Sequence, residues 1–370
     1  MRVGLLTIIN PMKGLWRDAE CLLWAIRQHH QKFTVEISVF GVETYDDVES
    51  CPQTARARYL RHPAAIAAHT LFIEWIQFID VLVVCERMMP RTFQYARDAE
   101  VRVAYVPNLD WSQLDDDNVE AWIEAVRGSG IDVWAKTRCV QRILENVGIT
   151  TKLIPWSIPD RVYKTKAPPG SGDQTTCLMM NAGLGGWNNR RGVDIAIQAF
   201  ALAHKVYPSI KLTIKSIIPI RELVGHLSVP SSVRTIEGFL SRRNLRTLHR
   251  EHDAVLHPSR WEGFGLPVLE SLHAGIPVIA TDTCPMNELI VHGLSGLLVK
   301  GRSVGSVRLA PYSECDVGEL ASTIIKLHEN PGLKAHLRSR CTLGLAKRQR
   351  AFVDSVVAAL QVGAQNLKRS

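Results

Sequence analysis

Short apolar runs alternate with amphipathic segments along the first part of the chain. Met1–Asn10, Thr34–Val39 and Asp80–Cys85 have the length and composition of buried strands. Ala19–His29 has helical spacing, and helical signals extend from Thr54 to Gln77. The alternation continues through 102–106, 119–127, 131–135, 139–146 and 151–154. Strands that alternate with helices in this way predict βαβ units in a parallel sheet.

A stretch rich in proline and glycine follows, and it predicts a linker. It contains Pro159, Pro168-Pro169 and the run from Gly170 to Asp173. The alternation then resumes at 176–180, 192–204, 211–217, 233–236, 243–251, 254–256, 277–280 and 315–328, before a last helix over 352–367. A chain of 370 residues is long enough for two cores. We therefore predict two doubly wound α/β domains, residues 1–165 and 166–350, and a terminal helix over 351–370.

Composition argues against a secreted, membrane-spanning or metal-binding protein. The first apolar run meets Pro11 without the pattern of a signal peptide, and no apolar run approaches the roughly 20 residues of a spanning helix. The eight cysteines include no Cys-x-x-Cys pair, and the histidines do not cluster at metal-ligand spacing. These features predict a soluble, cytoplasmic protein with no metal.

The formal net charge of +8 is concentrated in two places. Four arginines lie between Arg242 and Arg250, and further basic residues lie between Lys334 and Arg350. Solvated helix faces are the favoured interpretation. The alternative is contact with an anionic membrane surface or an acidic acceptor, which would place the protein at the periphery of a membrane. No nucleic-acid-binding motif accompanies the charge, so no nucleic-acid partner is predicted.

Two glutamates carry the most specific chemical signal. Glu262 follows the predicted strand Ala254–Leu256 and lies on a loop. Glu270 lies in the first or second turn of a helix that starts near Pro267. Because open α/β sheets bind ligands outside the carboxyl ends of their strands, both carboxylates are expected to face a ligand.

The surrounding residues resemble the donor-site signature of family 4 retaining glycosyltransferases, which have the GT-B fold. The match runs through Pro-Ser-Arg-Trp-Glu-Gly-Phe-Gly-Leu-Pro-Val-Leu-Glu, from Pro258 to Glu270, and continues in Ala274–Thr281 and Gly296–Val299. The resemblance covers roughly the second half of the chain. It implies two Rossmann-like domains that face each other across a cleft, with the last helix crossing back to the first domain.

The resemblance also implies a role for each donor-side residue. Glu270 would accept hydrogen bonds from the ribose, and Glu262 would bind the transferred sugar and favour positive charge at its anomeric carbon. Lys215, at a strand end, is a phosphate candidate or an ordinary exposed lysine. Backbone contacts would come from Gly238, Phe239 and Leu240 to the base, and from Gly263, Phe264, Gly265 and Leu266 to the sugar and phosphate.

A glycine-rich loop before the predicted helix 192–204 suits a diphosphate. Gly185 and Gly186 allow close approach of the backbone, and Arg190 and Arg191 bring positive charge to the helix start. A dinucleotide fingerprint fails on spacing, because its third glycine position holds Asn188. The chain departs from similar enzymes here: Arg191 stands where lysine is usual, and Trp187 rather than arginine directly follows the two glycines.

The first domain would hold the acceptor, and its signals are fewer. Lys13, Gly14, Glu86 and Asn108 follow predicted strands and are the acceptor-side candidates, with an ordinary surface-loop acid as the favoured interpretation of Glu86. His62 and His69 are the nearest candidates for a functional histidine, with no motif around them. The run Asp115–Asp117 resembles an Asp-x-Asp metal site, but it fits a helix amino terminus better.

The resemblance implies a retaining, metal-independent glycosyltransferase. It would move a hexose from a UDP- or GDP-linked donor to a glycan, lipid or small-molecule acceptor, with no cofactor besides the nucleotide sugar. The catalytic residues would be Glu262, Arg190 and Arg191. The alternatives are a nucleotide-sugar-binding subunit with impaired catalysis and a peripheral membrane scaffold.

Overall fold

The computed structural model describes residues 1–7, 14–28, 36–41, 57–60, 72–86, 90–109, 119–161, 175–183 and 189–366. The chain divides into two compact units. Unit 1 comprises Met1–Pro159 together with Lys347–Ser370, and unit 2 comprises Asp160–Ala346. Among the described residues, no helix has both the length and the apolar character that crossing a membrane requires.

Unit 1 is built on a seven-stranded parallel sheet in the order β3-β2-β1-β4-β5-β6-β7. Its strands are β1 (Arg2–Thr7), β2 (Glu36–Gly41), β3 (Ala57–Leu60), β4 (Val81–Glu86), β5 (Arg102–Pro107), β6 (Asp132–Ala135) and β7 (Thr151–Leu153). Its helices are α1 (Gly14–Gln28), α2 (described over 72–76), α3 (Pro90–Asp98), α4 (Val119–Arg127) and α5 (Arg138–Asn146). The Val81–Cys85 run is buried at every position, as expected for a strand covered on both faces.

The helical prediction for Thr54–Gln77 is wrong over part of its length. β3 lies within this span and pairs in parallel with β2, from Ile37 opposite Ala57 to Phe40 opposite Leu60. Pairing with a neighbouring strand overrides the local helical signal, because strand formation depends on cross-strand context. The described helix is confined to 72–76, and the intervening residues lie outside the described chain.

Unit 2 repeats this architecture with one difference at the sheet edge. Its order is β10-β9-β8-β11-β12-β13-β14, with β13 and β14 antiparallel and the other pairs parallel. The strands are β8 (Thr176–Gly183), β9 (Ile210–Ser216), β10 (Val233–Ile236), β11 (Ala254–His257), β12 (Val278–Asp282), β13 (Gly296–Val307) and β14 (Ala310–Cys315). The helices are α6 (Val193–Val206), α7 (Ile220–Val224), α8 (Arg242–Arg250), α9 (Leu266–His273), α10 (Met286–Leu289), α11 (Val317–Glu329) and α12 (Pro331–Arg340).

The hairpin of β13 and β14 was not predicted, and it shortens the predicted helix over 315–328. Cys315 ends β14, and α11 begins two residues later at Val317. Asp316 sets this start, because its side chain accepts a hydrogen bond from the Glu319 amide at 2.8 Å. The hairpin therefore places β14 beside the chain that leaves β11. The Ser313 backbone amide of β14 donates to the Arg260 carbonyl there.

The last helix, α13 (Leu345–Asn366), belongs to unit 1 from Lys347 onward. Arg348 Nε donates to the Trp156 carbonyl at 2.7 Å. The Phe352 ring is fully buried and packs against Trp156, with 4.9 Å between ring centroids. The same ring also stacks on Trp24 of α1, with 6.4 Å between ring centroids. The carboxyl end of the chain thus completes the core of the amino-terminal unit.

We expect Phe352→Ala to lower the free energy of unfolding by about 3–5 kcal/mol, because it leaves a cavity between two tryptophans. Urea unfolding followed by tryptophan fluorescence measures the change. Gln361→Ala, at an exposed position of the same helix, is the matched control and should leave the midpoint nearly unchanged. Equal midpoints for both variants would show that the helix adds little to the core.

Candidate active site

The strand order of unit 2 reverses direction between β8 and β11. From β8, the chain adds β9 and then β10 on one side of the sheet. It then crosses to the other side of β8, where β11, β12, β13 and β14 follow in order. Open α/β sheets bind ligands outside the carboxyl ends of their strands at such a switch point. Arg190 and Arg191 follow β8, and Glu262 follows β11. The three predicted catalytic residues therefore approach one another from the two strands that flank the switch.

Glu262 is the centre of this cluster. Its side chain is only 4% exposed, and Arg191 Nη1 donates to its Oε1 at 2.5 Å. Arg190 Nη1 lies 3.6 Å from Oε2, so each carboxylate oxygen faces a guanidinium. His257, the last residue of β11, places Nε2 3.3 Å from Oε1. The carboxylate is thus buried together with positive charge.

The charge state of Glu262 follows from these contacts. Burial alone would raise its pKa, but attraction by Arg191 and then Arg190, with the His257 hydrogen bond, outweighs the desolvation. The net effect holds the pKa of Glu262 far below its usual range. The carboxyl group is therefore ionised throughout the physiological pH range, and it holds a proton too weakly to serve as a general acid.

His257 was missed as a site residue in the sequence, although it immediately follows the predicted strand. Burial lowers the pKa of His257, and Arg191 and Arg190 lower it further against the opposing effect of Glu262. The ring is therefore neutral near pH 7. Since a carboxylate only accepts hydrogen bonds, the contact with Glu262 assigns the single ring proton to Nε2. Ser259 Oγ lies 3.2 Å from the same nitrogen.

Gly192 explains why the two arginines come so close to the β11 loop. It has a φ of 66° and caps the start of α6. A Cβ atom at this position would lie 2.1 Å from the Pro258 carbonyl oxygen. Only glycine fits here, in conformation and in space. The predicted phosphate-loop residues Gly185 and Gly186 lie outside the described residues.

The second glutamate lies on α9, as the sequence predicts. Gly265, with a φ of 86°, precedes the helix, which begins at Leu266 and carries Pro267 in its first turn. Glu270 is therefore in the second turn and is partly buried. Gly263 and Phe264 are buried in the loop before the helix, with the Phe264 ring packed inside rather than presented to solvent.

Lys215 lies at the carboxyl end of β9 and is buried, in contrast to the alternative of an ordinary exposed lysine. Burial lowers the pKa of Lys215, and the charge of Glu270 raises it by less. The interaction shows that the ammonium and the Glu270 carboxylate are electrostatic neighbours. Two residues predicted to bind different parts of one donor thus share one edge of the sheet.

The predicted base-binding segment continues this edge. Ile236, the last residue of β10, pairs with Lys215 of β9. Gly238, Phe239 and Leu240 begin one residue further along the chain, after Glu237. Gly238 has a φ of 91°, and Phe239 is 57% exposed. The donor-side candidates of the described chain therefore follow the carboxyl ends of β10, β9, β8 and β11, which are adjacent in the sheet.

Two buried histidines fix α8 against the elements of the site. His249 Nδ1 contacts the Leu245 carbonyl at 2.8 Å, and its Nε2 lies 3.2 Å from Ser271 Oγ of α9. His252 Nε2 lies 2.9 Å from Thr213 Oγ1 of β9. Burial lowers the pKa of His249 to about 4 and also lowers that of His252. Both rings are neutral in the folded protein near pH 7.

The acceptor-side candidates lie at the corresponding edge of unit 1. Glu86 ends β4 opposite Pro107 of β5, and Asn108 follows that residue. Gly14 begins α1, and Lys13 lies outside the described residues, as do His62, His69 and Asp115–Asp117. A buried ion pair between Lys136, after β6, and Asp18 of α1 lies in the same unit. The sequence does not signal this pair, because its members are 118 residues apart.

The central part of unit 2 matches a known protein family. Residues 184–308 match the glycosyl transferases group 1 family. The match contains the Arg190–Arg191 segment, Lys215, Glu262 and Glu270, so it confirms a resemblance to glycosyltransferases over the segment that carries the donor-side candidates. Among the described residues, no group of three or more His, Cys, Asp or Glu side chains is arranged to hold a metal ion.

Curated relatives align over short segments. The chain is 39% identical over 70 residues to an uncharacterized 41.2 kDa protein in the cps region of Klebsiella pneumoniae, covering 19% of this chain and 20% of the relative. It is 41% identical over 58 residues to the lipopolysaccharide core biosynthesis mannosyltransferase LpsB of Rhizobium meliloti, covering 15% and 16%. The chain thus spans a fifth or less of the length of either relative.

Solved structures match over the whole chain. Anabaena Alr3699/HepE in complex with UDP has a TM-score of 0.71 at 17% identity, with 100% of both chains covered. WaaG, a glycosyltransferase involved in lipopolysaccharide biosynthesis, has a TM-score of 0.65 at 17% identity, covering 98% of this chain and 99% of WaaG. The two doubly wound sheets and this likeness confirm the predicted GT-B fold.

We expect the free energy of unfolding of unit 2 to fall by about 2 kcal/mol between pH 7 and pH 5 through His249 alone. The unfolded chain takes up a proton near pH 6.5, whereas the folded ring stays neutral until about pH 4. The stability that the neutral His249 ring contributes is therefore fully present above the pKa of this histidine in the unfolded chain, and it is lost as the pH falls toward the folded value. Urea unfolding at both pH values measures the slope.

The variant His249→Gln should flatten this pH dependence, because glutamine does not titrate. His226→Gln, at an exposed position, is the control and should keep the slope of the parent protein. An unchanged slope in His249→Gln would show that His249 gains its proton equally in the folded and unfolded states.

Proposed function

We propose that the protein is a retaining, metal-independent glycosyltransferase that moves a hexose from a nucleoside-diphosphate sugar to a glycan, lipid or small-molecule acceptor. The observation that carries the proposal is the buried cluster of Glu262 with Arg190 and Arg191 at the switch point of unit 2. It lies within the segment that matches glycosyl transferases group 1. UDP is the first nucleotide to test, since HepE was solved with UDP.

The arginines supply what a departing diphosphate requires. Arg190 and Arg191 stand at the start of α6, so two guanidiniums and the positive end of a helix dipole act at the same place. Lys215 adds a third cation at the neighbouring strand end. Stabilising the leaving group with fixed positive charge is an electrostatic contribution that needs no divalent cation. Metal independence is therefore part of the proposal.

Glu262 acts as a fixed negative charge in this proposal. Its strongly lowered pKa makes it a poor proton acceptor as well as a poor donor, so an acid/base role is disfavoured. A permanently ionised carboxylate suits contact with sugar hydroxyls and with positive charge that develops at the anomeric carbon. The departing phosphate oxygen would deprotonate the acceptor on the same face, which is consistent with retention.

The remaining donor contacts follow the sheet edge. Glu270 would accept hydrogen bonds from the ribose, and Gly238–Leu240 would hold the base through their backbone. The amides of Gly263, Phe264, Gly265 and Leu266 would serve the sugar and phosphate, with Gly265 allowing close approach. Unit 1 would bind the acceptor, with Gly14, Glu86 and Asn108 at the carboxyl edge of its sheet.

We expect Glu262→Ala to lower kcat at least 100-fold while nucleotide binding survives, because the substitution removes charge that acts on the reacting sugar. Glu270→Ala should instead raise the Kd for the nucleotide, with a smaller effect on kcat. Steady-state kinetics and calorimetric titration measure both quantities. Glu222→Ala, at an exposed position of α7, is the control. Parent-like kinetics in both site variants would refute the site assignment.

A donor panel tests the proposed activity itself. The protein is incubated with UDP-, GDP- and ADP-sugars, with and without EDTA, and free nucleoside diphosphate is measured. We expect slow hydrolysis of one donor that EDTA does not abolish. Binding without hydrolysis would favour an impaired nucleotide-sugar-binding subunit, and loss of activity in EDTA would overturn metal independence. Co-sedimentation with anionic vesicles at two salt concentrations tests the peripheral membrane alternative.

A further inference from the structure

Arg260 lies two residues before Glu262, and its guanidinium is bound on several sides. Nη1 and Nη2 donate to the two carboxylate oxygens of Asp194 at 2.9 and 2.8 Å, forming a bidentate pair. Nε donates to Glu314 Oε1 at 2.8 Å, and Nη1 also donates to the Asn189 carbonyl at 2.7 Å. The side chain is 10% exposed, so these contacts are largely shielded from water.

The backbone of Arg260 adds two further links. Its amide donates to the Arg190 carbonyl at 2.8 Å, and its carbonyl accepts from the Ser313 amide at 2.9 Å. One residue therefore joins three separate segments of unit 2: the chain from Asn189 to Asp194, the loop after β11, and strand β14. The first two of these segments carry the arginines and the glutamate of the candidate active site.

The donor count of Arg260 argues against a direct role with a ligand. A guanidinium has five N–H donors, and the four hydrogen bonds to Asp194, Glu314 and Asn189 use four of them. Arg260 is thus committed to protein partners, whereas Arg190 and Arg191 meet the carboxylate of Glu262. Arg260 therefore has a supporting position, whereas Arg190 and Arg191 lie against the carboxylate of the candidate active site.

We propose that Arg260 is a positioning residue that fixes the Arg190–Arg191 segment opposite Glu262 and thereby sets the affinity for the diphosphate part of the donor. This inference rests on the proposed function. The Arg260–Arg190 backbone bond fixes the distance between the two segments, and the fork to Asp194 fixes their orientation. A planar fork is required, because a lysine ammonium cannot reproduce two parallel bonds to one carboxylate.

The hairpin of β13 and β14 also helps to hold Arg260 in place. Glu314 and Ser313 of β14 hold the outer side of Arg260, and Ser313 Oγ lies 3.1 Å from Thr283 Oγ1. Thr281 Oγ1 of β12 donates to the Ser259 carbonyl at 3.1 Å. The loop after β11 is therefore bonded to two strands on its far side, which limits its freedom to move away from Arg190.

The test compares binding of a nucleoside diphosphate with binding of its nucleoside. UDP, GDP and ADP are titrated into the parent protein, and the one that binds is then compared with its nucleoside in Arg260→Lys and Glu314→Gln. We expect Arg260→Lys to weaken the diphosphate at least 10-fold and to change nucleoside affinity less than 2-fold. Glu314→Gln, which keeps one hydrogen-bond acceptor, should weaken the diphosphate by a smaller factor.

Arg246→Lys is the matched control, because Arg246 also pairs with a carboxylate of unit 2, at 3.4 Å from Asp160. It should leave both affinities unchanged. The Tm of each variant is measured to confirm that the protein is folded. A merely structural role for Arg260 would lower the Tm and weaken both ligands alike, and that result would overturn the inference, as would an unchanged diphosphate affinity. If none of the three diphosphates binds the parent protein, the proposed function and this inference both fall.

Discussion

The burial of one carboxylate, Glu262, constrains the rest of unit 2. Removing a carboxylate from water costs several kcal/mol, and the cost is offset only when opposite charge and hydrogen bonds are brought to it in good geometry. Here the offset comes from Arg190 and Arg191, which lie on a different strand connection. The chains leaving β8 and β11 must therefore run side by side. The absence of a Cβ at Gly192 is what allows this approach.

This constraint also gives the site its electrostatic character. Two guanidiniums face one carboxylate, so the cluster is left with an excess of positive charge. Groups that are already fixed in place need little reorganisation when charge develops on a leaving diphosphate. The same contacts keep the Glu262 carboxylate ionised, because they hold its pKa far below the usual range.

The sequence predicts the parts of this site that are local in the chain. The spacing of Glu262 and Glu270 correctly predicts a loop followed by α9, because the glycine at 265 and the proline at 267 mark the helix start. Local patterns do not reveal His257 as a partner, nor the pairing of Arg260 with Asp194 and Glu314, which lie 66 and 54 residues away. β3 and β14 are missed for the same reason, because each forms a strand through its pairing with a neighbouring strand, β2 and β13 respectively.

The same distinction explains why the proposed acceptor site is harder to derive from the sequence than the proposed donor site. A nucleoside diphosphate is recognised by helix starts, glycines and closely spaced charges, and each of these features occurs within a short stretch of sequence. An acceptor is recognised by side chains that different strand ends bring together. In unit 1 the buried pair of Asp18 and Lys136 joins α1 to the chain after β6, and neither residue carries a local motif. Contacts of this kind exist only in the folded chain, so local sequence patterns do not reveal them.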